Sequence, residues 1–259
     1  MIWRGILRIC NGAVSLITAL ALVLCGSYGA YALWDNNQVL TSAADVQADM
    51  IKLKPPAQPE AGEADNSAGF SELRKINPDV CGWITMDGTA IDFPVLRGAS
   101  NLEYISRDVY GNFSLAGSIF LDSRNDPGFS DAYSLLYGHH MADGKMFGDL
   151  DRYKDEVFFR ENRMGMLILP EMTYELEVFA CMVVPASEKA VFDPERTRAD
   201  INTLLSFAEE NALWLREETM QGTEKIIALS TCASEFTDAR TVVLAGMTPV
   251  LSGEGEVSG

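Results

Sequence analysis

From Val80 onward the chain is written as short apolar or alternating runs cut at close intervals by turn signals, and this punctuation constrains the fold more than any other feature. The runs cover 82–86, 91–96, 117–121, 133–137, 164–169, 174–184, 225–231 and 241–248, each of strand rather than helix length. Between them stand Asp87-Gly88, Asn125-Asp126-Pro127-Gly128 and Asp143-Gly144, residues that favour turns. Eight strands of this kind predict a mostly β fold, a closed or nearly closed eight-stranded β-barrel. One helix interrupts them. Asp193 is placed to cap it, Pro194 suits its first turn, and Ile201, Leu204, Leu205, Ala208, Leu213 and Leu215 supply an apolar face. The expectation is one long helix, from about 193 to 217, inserted between late strands.

The first 34 residues differ in kind. Arg4 and Arg8 precede an apolar stretch over 12–33, and the first acid in the chain is Asp35. About twenty such residues cross the roughly 30 Å hydrocarbon core of a bilayer as a helix. Basic residues before the stretch and none just after it predict a single-pass anchor with the N-terminus inside and the bulk of the chain outside. Ala30-Tyr31-Ala32 also resembles a signal-peptidase site, but the apolar stretch is long for a signal peptide and favours an uncleaved anchor. Residues 35–79 read as a helical region, with 55–69, rich in Pro, Ala, Gly and acid, as a flexible linker and 70–76 as a short helix stopped by Asn77-Pro78. Residues 80–250 form the barrel domain, and 251–259 read as a disordered tail. The formal charge is −17 although the first 34 residues carry two arginines and no acid, so the domain would be repelled by nucleic acid.

The residues with chemistry in them fall at predicted strand ends. Cys232 follows the apolar run Ile226, Ile227, Ala228, Leu229, and Arg240 lies directly before the next run. The chain has two histidines, His139 and His140, adjacent in YGHHMADGKMF, so an imidazole partner for the thiol is one of these. A free cysteine has a pKa of about 8.5, and a neighbouring cation raises its thiolate fraction. Arg240 is permanently charged and offers several fixed donors, which suits an oxyanion. Ser230 and Thr231 add hydroxyls at the same strand end. Singly, each has a plainer reading: a core cysteine, a solvated strand-end charge, a surface turn. Their conjunction is what points to a site. Of the five cysteines, Cys10 and Cys25 belong to the apolar segment or its edge, while Cys81, Cys181 and Cys232 match no metal-ligand spacing. Neither a metal nor a cofactor is expected. Cys81 and Cys181 read as buried thiols, with a disulfide between them left open.

LSTC with an arginine eight residues on, YGHH in mid-chain and an N-terminal anchor resemble the sortases. The segments NPDVCGWITMDGTAIDFPVLRG, AGSIFLD and LLYGHHMADGKMFGDL are similar to class B sortases, and the likeness covers roughly residues 38–250. Sortases are membrane-tethered cysteine transpeptidases, mainly of Gram-positive bacteria, with an eight-stranded barrel. They cleave a C-terminal sorting signal through a thioacyl intermediate, which an amine of the cell-wall precursor resolves. The resemblance implies Cys232 as nucleophile, His139 as acid–base and Arg240 as oxyanion or substrate-positioning group. It implies Ser230, Thr231, Asn101 and Tyr104 as substrate-binding residues. Some class B relatives carry an acid two residues after the cysteine; here that position is Ser234, and Glu235 and Asp238 read as solvated loop acids. The implied partners are surface proteins with sorting signals, a peptidoglycan-precursor amine or a pilin lysine, and the membrane through the N-terminal helix. The implied place is the cell membrane, with the catalytic domain outside. A pilin polymerase, a purely hydrolytic cysteine peptidase and a tethered binding module without chemistry are the other readings.

Overall fold

A computed structural model describes residues 2–58, 65–232 and 238–250. The chain divides into two compact units, Met1–Ser42 and Ala43–Gly259. A single helix, α1 (Ile2–Ile51), supplies the first of them. Within that unit Val14, Leu16, Ile17, Leu20, Val23 and Leu24 are all exposed, and among the described residues this helix is long and apolar enough to cross a membrane.

The second unit is a barrel. Its strands are β1 (Val80–Met86), β2 (Asp92–Leu96), β3 (Ile119–Leu121), β4 (Tyr133–Tyr137), β5 (Met164–Ile168), β6 (Thr173–Pro185), the two-residue β7 (Trp214–Leu215), β8 (Ile226–Cys232) and β9 (Ala239–Pro249). The hydrogen-bonded order is β5-β1-β2-β3-β4-β8-β9-β6, and β5 pairs back onto β6, closing eight strands into a ring. Closure removes the exposed edges that an open sheet would present. Among the described strands, β2–β3 and β4–β8 are the parallel pairs. β7 adds to the far part of β6, opposite Ala180 and Cys181.

Side-chain alternation sorts the strands into an inside and an outside. Ile84, Val95, Leu121, Leu136, Leu167, Leu176, Leu229 and Val243 fill the interior. Tyr133, Leu135, Met182, Ala228 and Leu244 point outward beneath the helices that follow β6. Val80, Trp83, Leu96, Phe120 and Ile168 point outward under Met50 and under α2 (Ser67–Ile76), through Phe70 and Leu73. Register shifts between Val80 and Gly82 and between Val178 and Ala180 change the parity within β1 and β6. Val178 and Cys181 therefore both reach the interior, while Ala180 and Met182 face out. Leu176→Ala, at a fully buried interior position, is expected to cost about 2–5 kcal/mol, read as a fall in the urea unfolding midpoint.

The insertion after β6 corrects the expectation of one long helix. It holds α4 (Lys189–Phe192), α5 (Pro194–Ala199) and α6 (Ile201–Asn211), then β7 and α7 (Glu217–Gln221). Asp193 does cap α5, accepting from the Arg196 N–H, with Pro194 in the first turn. Asp200 then accepts from the Asn202 N–H and starts a new helix. A short polar acceptor that bonds its own backbone breaks a helix where a hydrophobic pattern alone would carry it on. Leu213 and Leu215, which continue the apolar face in sequence, sit at the turn into β7 and in it. Another helix, α3 (Glu156–Glu161), precedes β5 and is capped by Asp155. Cys81 and Cys181 are buried as thiols rather than joined in a disulfide. The linker's residues 59–64 and the tail 251–259 lie outside the described residues.

Candidate active site

Three strand ends meet at one rim of the barrel. The parallel pairing of β4 with β8 sets Tyr137 opposite Ser230, and the Gly138 N–H donates to the Ser230 carbonyl at 3.2 Å. The antiparallel pairing of β8 with β9 sets Cys232 opposite Arg240. Segments about a hundred residues apart in sequence are thereby brought together, His139 by the chain leaving β4 and Cys232 and Arg240 by the end of β8 and the start of β9. The side chain of Cys232, together with Ser234 and Glu235, lies outside the described part of the structure.

A groove of about 390 Å³ opens at this rim, lined by His139, Arg240, Ser230, Thr231 and Asn101, with Leu102, Ile105, Phe120, Tyr137, Gly138, Ala186 and Phe192. Its walls are largely apolar with a few polar groups, as in sites that bind organic ligands. The Ser230 and Thr231 hydroxyls are buried, with no hydrogen-bond partner among the described residues.

His139 is held from two sides. Its carbonyl accepts from the Phe147 N–H at 3.0 Å. Its Nε2 lies 2.6 Å from the Ile105 carbonyl oxygen. A carbonyl can only accept, so Nε2 carries the proton, and Nδ1 is the nitrogen left to gain or lose one. Gly117 makes this contact possible. Its φ is +59°, and a Cβ there would lie 2.7 Å from the Ile105 oxygen and 3.1 Å from His139 Cδ2. Gly117→Ala is expected to push the Ile105 carbonyl off the imidazole and lower kcat by about tenfold or more. Steady-state kinetics checks this, alongside a stability loss of about 1–2 kcal/mol from the positive φ.

His140 faces elsewhere. Its Nε2 lies 3.1 Å from Asp151 Oδ2, while Asp151 Oδ1 accepts from the Thr241 hydroxyl at 2.6 Å and from Lys154 at 2.9 Å. Burial pushes the Asp151 carboxyl up. Hydrogen bonds from Lys154 and Thr241, with the charges of Lys154 and His140, outweigh burial and hold it below the usual carboxylate range. Asp151 thus ties the histidine-bearing loop to β9 next to Arg240. Arg240 is half-buried, donates through Nη1 to the Ala239 carbonyl at 3.0 Å, and bonds no carboxylate among the described residues. Asp238 is exposed.

The structure brings Asn101 to the groove but not Tyr104. The Tyr104 ring is buried in the cluster outside the barrel, with its hydroxyl donating to Asp79 at 2.7 Å and accepting from Asn77 Nδ2 at 3.0 Å. Burial, then the bond to Asp79, raises the phenol's pKa above its usual value. Asn101 and Tyr104 share a turn, and its geometry sends their side chains to opposite sides. Sequence reasoning missed Phe120, Tyr137 and Phe192 as groove walls. The first two sit in strands that end at the rim, which is a usable signal; Phe192 carries none.

A sortase-domain family model matches residues 84–248. Sortase B of Listeria monocytogenes is 32% identical over 164 residues, 63% of this chain and 67% of that protein. Sortase B of Staphylococcus aureus is 29% identical over 178 residues, 68% of this chain and 73% of that protein. Among solved structures, a class B sortase of Streptococcus pyogenes involved in pilus biogenesis matches with a TM-score of 0.63 at 37% identity, over 69% of this chain and 97% of that one.

Proposed function

The chain belongs to the sortase family as a class B cysteine transpeptidase, and from that premise we propose that it cleaves a C-terminal sorting signal in the rim groove and passes the acyl group to an amine of the cell-wall precursor. In this reading the Cys232 thiolate attacks the scissile carbonyl, forming the S–C bond. His139, protonated on Nδ1, gives that proton to the leaving amine as the C–N bond breaks. The incoming amine then loses a proton to Nδ1, forms a new C–N bond and expels the thiolate. Arg240 directs its remaining N–H groups at the oxyanion or the substrate backbone, where a fixed cation stabilises developing charge. Ser230, Thr231 and Asn101 hold the peptide. The α1 helix would anchor the enzyme in the cell membrane with the barrel outside.

The observation carrying this reading is the register: Cys232 opposite Arg240, and the strand before His139 paired with the strand that ends in Cys232. The test is to incubate the full chain in detergent with peptides of the Asn-Pro-X-Thr, Ser-Pro-X-Thr-Gly and Leu-Pro-X-Thr-Gly types, with and without amines. A glycine peptide stands for the wall precursor and a lysine peptide for a pilin. A transfer product that grows with amine concentration at the expense of hydrolysis is expected. Hydrolysis alone with every amine would leave a peptidase instead. A second acceptor reading, pilin polymerisation, is favoured by the likeness to the Streptococcus pyogenes enzyme involved in pilus biogenesis; preferential transfer to the lysine peptide would select it.

A further inference from the structure

Asp122 follows β3 directly and is fully buried, and the acyl-transfer chemistry proposed above does not use it. Its backbone is fixed, the N–H donating to the Leu135 carbonyl at 2.8 Å and the carbonyl accepting from the Asn125 N–H at 2.9 Å. Its carboxylate then collects five donors. Oδ1 accepts from the Arg124 N–H at 3.0 Å and Arg124 Nε at 2.9 Å. Oδ2 accepts from Arg124 Nη2 at 2.8 Å, Asn101 Nδ2 at 2.8 Å and the Tyr137 hydroxyl at 3.1 Å.

These partners lead to the groove. The Asn101 amide is locked at both ends, because its Oδ1 accepts from the Ser123 N–H at 2.7 Å while Nδ2 faces the carboxylate, so it cannot flip. Tyr137 is the middle of an aromatic wall, 5.3 Å from the Phe120 ring and stacked at 6.5 Å on Phe192. Arg124 reaches past Asp122 to the Phe192 carbonyl at 2.9 Å, and its Nη1 lies 3.8 Å from Asp193. Asn101, Tyr137 and Phe192 come from the loop after β2, the end of β4 and the end of α4. All three line the groove.

We propose that Asp122 is a positioning residue for substrate: one buried carboxylate sets the relative places of Asn101, Tyr137 and Phe192, and through them the peptide the groove accepts. The inference rests on the groove being the peptide site. Two electrostatic facts agree with it. Burial pushes the Asp122 carboxyl up, but the Arg124 and Asn101 hydrogen bonds outweigh burial and keep it ionised. Burial, then the Asp122 charge, raises the Tyr137 phenol, so its hydroxyl stays a donor. A charged acceptor at the hub bonds each donor more strongly than a neutral one would.

The test measures KM and kcat over the peptide panel with the full chain in detergent, for wild type, Asp122→Asn, Tyr137→Phe and the double variant. Alkylation of Cys232 by iodoacetamide, located by peptide mapping, reports on the thiol without using the groove wall. Asp122→Asn is expected to raise KM about tenfold or more and to flatten the preference among peptides, with kcat and the alkylation rate changed by less than about threefold. Tyr137→Phe should raise KM by a smaller factor, and the double variant should be no worse than Asp122→Asn alone, since both break one network. An unchanged KM in Asp122→Asn, or equal falls in kcat and alkylation, would overturn the proposal. If Asp122→Asn does not fold, Tyr137→Phe decides: a KM within about twofold of wild type sinks the network's role. Wild type that alkylates at Cys232 yet cleaves no peptide would overturn the reading of the groove, and this proposal with it.

Discussion

Cys232→Ala is expected to remove peptide cleavage and the acyl-enzyme together, leaving a rate lower by about 10⁴-fold or more. The reason lies in the bond-making. In the proposed route every acyl group passes through one S–C bond, so loss of that sulfur removes the intermediate rather than slowing a step. No other thiol in the barrel can stand in. Cys81 is buried, donates to the Val95 carbonyl, and is pushed up to about 12 chiefly by burial, so it carries essentially no thiolate near neutrality. Cys181 is fully buried in the barrel interior. The measurement is a single-turnover reaction with a quenched-fluorescence peptide, followed by intact-mass spectrometry for the acyl adduct. Wild type should show the adduct accumulating when amine is withheld and discharging when it is added. Cleavage that survives in Cys232→Ala would end the thiol mechanism and leave the groove with some other nucleophile.

Strands were the most legible part of the fold because a barrel wall imposes the simplest pattern, one face in and one face out. Each of the eight expected runs overlaps an observed strand. The bulges in β1 and β6 were hidden because the residues at each shift are buried in succession, so parity leaves no polar trace where it changes. The helical insertion misled for a related reason: Leu215 falls within the run of apolar residues that reads as a helix face, yet it pairs with Ala180, and only the chain's return to β6 decides between the two. At the site, residue type carried the information. A chain with two histidines and one cysteine at a strand end offers few combinations, and strand pairing does the rest. Asn101 and Tyr104 differ in their facing by the geometry of one turn, which spacing cannot encode. Asp122 looks like any strand-end acid until five donors are seen around it.

His139→Gln is expected to lower kcat/KM by about 10²–10⁴, and His140→Gln by no more than a few-fold. The two side chains are neighbours in sequence, yet they meet different partners. His139 lines the groove with Nε2 spent on the Ile105 carbonyl, and in the proposed route Nδ1 carries the moving proton. Glutamine can keep the bond to Ile105 but has no second nitrogen that can take up and release a proton, so it cannot serve as acid and then base. His140 is exposed and does not line the groove, and its Nε2 meets Asp151, whose other oxygen is already bonded by Thr241 and Lys154. Removing that imidazole takes one donor from a carboxylate that keeps two. An exposed pair of this kind contributes little. Both variants should be assayed for peptide cleavage and for alkylation of Cys232 at neutral pH. A slower alkylation in His139→Gln would show that the imidazolium also supports the thiolate, while an unchanged rate would confine His139 to proton transfer. Equal losses in the two variants, or a larger loss in His140→Gln, would overturn the assignment of the acid–base function to His139.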